Sequence, residues 1–115
     1  MRPVVLTIAG SDPSAGAGIQ ADLKAIEACG AYAATVITSI TVQNTRGTAS
    51  AASVDAELVR EQALAVLSDL PVRAVKTGML PDLSVVRAVA SLLEEHAGLP
   101  YVLDPVLAAG DGFLL

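Results

Sequence analysis

Four short polar segments carry the side chains of this 115-residue chain that can do chemistry. The first runs Gly10-Ser11-Asp12-Pro13-Ser14-Ala15-Gly16-Ala17-Gly18, with Asp22 shortly behind it. The others are Gln43-Asn44-Thr45, Lys76-Thr77-Gly78-Met79-Leu80 and Asp104-Pro105-Val106. Small residues in the first segment let the backbone approach a ligand, and a helix start behind them turns unpaired N–H groups toward an anion. The same residues also make an ordinary strand-to-helix turn. Asp22 can contact a ligand or simply complement the helix dipole. The Gln43 amide donates and accepts at once, which suits the edge of a heterocycle; it can equally anchor a flap. Lys76 can meet a phosphate or pair with a carboxylate. Asp104, before a proline that blocks helix continuation, can hold a metal, polarise a phosphate-bearing group, or serve as a turn residue.

An alternation of strands and helices positions these segments. Val4 to Ala9 is a continuous β-prone run closed by Gly10, the pattern of a strand buried on both faces. A helix follows from about Gly18 to Cys29, with Ile19, Leu23 and Ile26 on one side and Gly30 as its stop. Ala33 to Val42 is a β-branched second strand, and Gln43 to Ser53 is small and polar, the composition of a loop or flap. Asp55 can cap a second helix to about Leu70, with Val59, Ala63, Val66, Leu67 and Leu70 on one stripe. A short strand covers Val72 to Val75. A third helix follows, turning Val85, Val86, Val89, Leu92 and Leu93 to the core, and Tyr101 to Leu103 is the last strand. The order β-α-β-α-β-α-β, with no repeat and no linker, predicts an α/β fold with a parallel sheet. In such sheets ligands bind at the carboxyl ends of the strands, where all four polar segments fall.

Composition removes whole classes of function. The chain is 53% hydrophobic and 17% charged, the opposite of a disordered chain. Every apolar run is interrupted by charge before the roughly 18 residues of a bilayer span, so no membrane partner is expected. A net charge of −5 with 3% aromatic residues argues against nucleic acid. The single cysteine, Cys29, excludes an internal disulfide framework and fits a reducing, cytoplasmic setting. An incompletely covered, Ala- and Val-rich sheet favours self-association as a homo-oligomer. The apolar ending Phe113-Leu114-Leu115, and a fourth strand without a covering helix, suggest the front part of a longer fold.

Nucleotide motifs are weak. No Gly-Lys pair exists for a phosphate-cradling Gly-x-x-x-x-Gly-Lys loop. Gly16-Ala17-Gly18-Ile19-Gln20-Ala21 fits the dinucleotide pattern G-x-G-x-x-G/A. The acidic residue expected about 20 positions on is missing, because Ala33 to Gln43 holds no Asp or Glu. His96 reads as a surface residue at a helix C-terminus, and Cys29 has no neighbouring His for catalysis.

Taken in order, the segments resemble one family, the hydroxymethylpyrimidine and phosphomethylpyrimidine kinases of thiamine biosynthesis. The resemblance rests on Leu6 to Ser14, Ala17 to Lys24, Val42 to Thr45, Lys76 to Leu80 and Val102 to Val106, and runs from Pro3 nearly to the end. It implies a ribokinase-like three-layer αβα sandwich with a mostly parallel sheet, of which residues 1–115 form the substrate-side, N-terminal part of one domain. It further implies ATP and Mg²⁺ as cofactors and a small pyrimidine as substrate. The ring would sit against Gly10, with Asp22 near its hydroxymethyl and amino groups and Gln43 hydrogen-bonded to it. Met79 and Val106 would wall the pocket, and Asp104 would lie toward the phosphates and metal. An amide and a carboxylate together suit the adjacent donor and acceptor atoms of an aminopyrimidine. Ala15 stands where the family commonly has Gly, so a positive φ there would disturb the loop. The family's Gly-Thr-Gly segment, implied to hold the anion hole and the catalytic base, is absent from these residues, so no catalytic residue is assigned. Two alternatives stand beside the kinase: a short or split pyrimidine-binding or interaction module without kinase activity, and a dinucleotide-binding domain. These 115 residues alone are therefore expected to give no turnover in a coupled ADP-release assay with hydroxymethylpyrimidine, ATP and Mg²⁺; ADP release above background would contradict this.

Overall fold

A computed structural model describes residues 2–106. Five strands and three helices follow one another as β1 (Val4–Ser11), α1 (Gly18–Ala28), β2 (Tyr32–Asn44), β3 (Gly47–Ser53), α2 (Ala56–Leu67), β4 (Val72–Thr77), α3 (Leu83–Glu95) and β5 (Tyr101–Leu103). They form one sheet in the order β3-β2-β1-β4-β5. β1 runs parallel to β2 and β4, and β4 runs parallel to β5.

Residue alternation along β1 sends side chains to two layers. Leu6 and Ile8, both fully buried, join a core with Val36 and Val75 of the sheet, Val59 and Ala63 of α2, and Val85, Val89 and Leu92 of α3. Thr7 points to the other face, where it meets Asp22 of α1. Helices therefore cover both faces, which a parallel sheet requires. Asp55 and Asp82 start α2 and α3 by accepting backbone N–H bonds from Glu57 and Val85.

Three expectations change. Residues 47–53 form a strand, β3, antiparallel to β2, rather than a loop. Their small polar residues lack β propensity, but pairing with the long β2 edge supplies the backbone bonds, so context overrides composition. Leu23, expected on one apolar side of α1 with Ile19 and Ile26, and Val86, expected to face the core, are 42% and 40% exposed. Each helix buries a narrow stripe: Val85, Val89 and Leu92 lie at i, i+4 and i+7 on α3, and Val86 sits about 100° round from Val85. On α1 the sheet-facing positions are taken by Ile19 and Asp22, which leaves Leu23 at the margin. The sequence end beyond Val106, including Phe113-Leu114-Leu115, lies outside the described residues.

β3 pairs with β2 only from Ser39 onward. Just before that point, at Ile37, the outer edge of β2 is met by a side chain. Gln62 of α2 accepts from the Ile37 N–H and donates to the Ile37 carbonyl, both at 3.0 Å, so its amide stands in for a missing strand. Gln62→Ala leaves both Ile37 groups without that partner and is expected to cost about 1–3 kcal/mol in urea unfolding, whereas Gln62→Glu keeps only the acceptor and falls between.

Candidate functional site

β1 and β4 are neighbours, yet the chain leaves their carboxyl ends in opposite directions, to α1 and β2 on one side and to α3 and β5 on the other. A crevice opens where connections diverge in this way. It is a cleft of about 320 Å³, and Gly10, Asp22, Gln43, Met79, Asp104 and Val106 all line it. The structure thus brings all six sequence-predicted residues to one cavity. Lys76 lines it as well.

Two glycines shape the cleft. A Cβ on Gly18 would collide with the Gly10 carbonyl oxygen, and Gly18 has φ +61°, so only glycine lets α1 begin this close to the end of β1. A Cβ on Gly10 would lie 2.5 Å from Met79 Cε, so the absence of a side chain admits the methionine that forms the apolar wall. Met79 is 8% exposed and is held from behind, where the buried Thr38 hydroxyl donates to its carbonyl at 2.6 Å.

Asp22 is fixed by two elements at once. Thr7 and Lys76 are register partners on the adjacent strands β1 and β4, so they stand side by side. The Thr7 hydroxyl donates to Asp22 Oδ2 at 2.6 Å, and Lys76 Nζ reaches the same oxygen at 2.8 Å. Among the described residues Oδ1 accepts no hydrogen bond, and Asp22 lines the cleft. Of the two roles open to Lys76, pairing with a carboxylate is the one found. Asp104 is exposed, and its N–H bonds the Thr77 carbonyl at 2.9 Å, which continues the edge of β4 into the rim.

The loop between β1 and α1 is organised by a residue not singled out from sequence. Asp12 is 3% exposed. Its Oδ1 accepts from the Ser14 N–H and hydroxyl, and its Oδ2 from the Gly16 and Ala17 N–H groups, all within 2.9 Å. Gln20 closes the same turn by accepting from the Asp12 N–H and donating to the Ser11 hydroxyl. Asp-Pro-Ser is a turn-initiating triplet, and that was the available signal. Thr7 and Thr41 were also missed. A hydroxyl inside the apolar run of β1 marks Thr7 in retrospect, since a buried polar group needs a partner. Ala15 has φ 63°, so the site where the family commonly has Gly does require the left-handed region. His96 ends α3 with its Nδ1 3.0 Å from the Leu92 carbonyl, and Cys29 is an exposed free thiol.

Similarity to proteins of known structure follows this geometry. Phosphomethylpyrimidine kinase from Clostridium difficile superposes with a TM-score of 0.88 at 41% identity, covering 99% of this chain and 49% of that one. An ADP complex of Bacillus subtilis pyridoxal kinase gives 0.83 at 36% identity, covering 95% of this chain and 43% of that one. The fold is that of the ribokinase-like small-molecule kinases. Residues 12–115 match the family described as phosphomethylpyrimidine kinase, and the chain belongs to that family. Over 112 residues it is 50% identical to the hydroxymethylpyrimidine/phosphomethylpyrimidine kinase of Rhizobium meliloti, covering 97% of this chain and 42% of the relative. Over 110 residues it is 49% identical to a probable thiamine biosynthetic bifunctional enzyme, chloroplastic, of Oryza sativa, covering 96% of this chain and 20% of the relative. The chain spans less than half the length of these relatives.

Burial pushes the Asp12 carboxyl up, but the bonds from Ser14, Ala17 and Gly16 outweigh it and hold it below its ordinary value of 3.8. A carboxyl lowered in the folded state stabilises the fold above its unfolded pKa, and that contribution is lost as pH falls through the folded value. Asp12→Asn is expected to cost about 2 kcal/mol near neutral pH and to flatten the loss of stability below about pH 4, read from urea unfolding across pH. Ala15→Gly is expected to raise stability by about 0.5–1 kcal/mol by relieving the positive φ, measured the same way.

Proposed function

We propose that this chain forms the pyrimidine-binding side of an ATP-dependent kinase. That kinase phosphorylates 4-amino-5-hydroxymethyl-2-methylpyrimidine and its monophosphate in thiamine biosynthesis. The observation that carries the proposal is the convergence of a pre-aimed carboxylate, an amide and an apolar wall on one cleft at the strand ends. Membership of the phosphomethylpyrimidine kinase family supports the same substrate.

The ring packs between Met79 and Val106 with its edge over Gly10, where the missing Cβ permits contact with the backbone. Asp22 Oδ1 accepts from the hydroxymethyl or amino group, and Gln43 bonds the ring edge. Thr7 and Lys76 supply the orientation, so the carboxylate loses no freedom when substrate arrives. Phosphoryl transfer depends chiefly on such positioning and on stabilising charge. Mg²⁺ in kinase sites is held by one or two carboxylates together with phosphate oxygens. Asp104, at the cleft rim, would supply one such carboxylate. When bound, the ion neutralises charge on the transferred group.

Residues 1–115 act in this proposal as part of one ribokinase-like domain. The exposed thiol of Cys29 supports a reducing compartment such as the cytoplasm. No described helix is long and apolar enough to cross a membrane. Ile40 and Val42, 57% and 58% exposed on β2, support self-association.

Calorimetric titration of the native-length protein with the hydroxymethylpyrimidine tests the proposal. Asp22→Asn is expected to weaken binding about 10–100-fold, and Lys76→Met, which frees the carboxylate, about tenfold. Absence of both binding and phosphorylation by the unaltered protein would remove the proposal.

A further inference from the structure

Thr41 and Gln43 lie two residues apart on β2, so both side chains project from the same face of the strand. Thr41 is 6% exposed. Its hydroxyl lies 2.8 Å from the Ser11 carbonyl and 3.0 Å from the Gln43 amide oxygen. A hydroxyl carries one proton, and a main-chain carbonyl only accepts. With an amide oxygen on its other side, the hydroxyl stands between two acceptors and can satisfy one. The Ser11 carbonyl is the nearer, and its place is set by the backbone at the end of β1. The Gln43 amide, by contrast, turns about its last bond, and its oxygen and nitrogen ends are nearly alike in shape. Half a turn gives the hydroxyl one donor and one acceptor: the Gln43 NH₂ donates to Thr41, and Thr41 donates to Ser11.

We propose that Thr41 is a specificity-determining residue, which locks the Gln43 amide with its carbonyl oxygen toward the cleft. The inference rests on the pyrimidine-binding role proposed above. The cleft then offers an acceptor where Gln43 meets the ring, and the ligand group placed there must be a donor. An exocyclic amino group meets this requirement. An oxo group at the same ring position sets two acceptors face to face. A free glutamine would tolerate either, because it could turn to suit; the Thr41 hydroxyl, anchored on Ser11, removes that freedom. Thr41 does not touch the reacting atoms and acts through Gln43.

The test compares 4-amino-5-hydroxymethyl-2-methylpyrimidine with its 4-oxo analogue by calorimetric titration of the native-length protein. The unaltered protein is expected to favour the amino form by about 100-fold or more. Thr41→Val keeps the shape but lacks the hydroxyl, and is expected to cut that preference at least about tenfold, chiefly by admitting the oxo form. Thr41→Ser keeps the hydroxyl and is expected to retain the preference. Equal binding of the two forms by the unaltered protein overturns the inference without any variant, so a poorly folding Thr41→Val does not shield it. Undiminished preference in a folded Thr41→Val also overturns it and leaves the kinase reading intact. Binding of neither form by the unaltered protein overturns both.

Discussion

One carboxylate oxygen ties the helix that carries it to two strands. Asp22 Oδ2 accepts hydrogen bonds from the Thr7 hydroxyl of β1 and the Lys76 ammonium of β4, and Asp22 itself belongs to α1. The strands could pair without it, since their ladder is made by the backbone. The depth and rotation of α1 over the sheet could not be set in the same way, because apolar contacts tolerate sliding and rotation. Ile19 is the one buried residue of α1, so packing alone is a thin constraint there. The polar contact supplies direction that the packing lacks. Its side chains are about one-fifth exposed, so it is partly desolvated while water still reaches the carboxylate from the cleft.

The approach of α1 to β1 brings a further demand. Gly18 must sit against the Gly10 carbonyl, so the six residues 12–17 have to reverse direction in little space. Four bonds to the Asp12 carboxylate make this turn self-supporting. They also pull Ala15 into a region that a Cβ disfavours. The strain at Ala15 and the lowered pKa of Asp12 therefore have one origin, a loop shaped by the helix position rather than by its own propensities.

The sequence displayed the period of the fold well and its polar joints poorly. Apolar runs and β-branched residues located β1, β2, β4 and all three helices, because burial imposes those patterns on the chain directly. β3 escaped because Gly-Thr-Ala-Ser-Ala-Ala-Ser has no intrinsic strand signal; its pairing comes from the neighbouring edge. The candidate residues were found through their place at strand ends and the family resemblance, and the structure gathers them into one cleft. Thr7, Asp12 and Thr41 were not found, for a common reason. Each acts through a partner distant in sequence or through the main chain, and a hydroxyl or carboxylate in isolation does not say which group it will meet.

Those missed residues show how Asp22 and Gln43, the two proposed recognition points, are kept in step. The Asp22 carboxylate is bonded by Thr7 on the β4 side of β1, and the Thr41 hydroxyl lies between the Ser11 carbonyl and the Gln43 amide on the β2 side. Thr7 and Ser11 belong to the same strand. β1 is therefore the common reference for both, and neighbouring strands stand about 4.8 Å apart in a hydrogen-bonded sheet. A rigid aromatic ring needs its two polar edges met at a fixed separation, and a central strand moves less than any loop that could carry the same groups. The placement of the proposed recognition groups on either side of the end of β1 is what a flat, rigid ligand demands of the backbone that reads it.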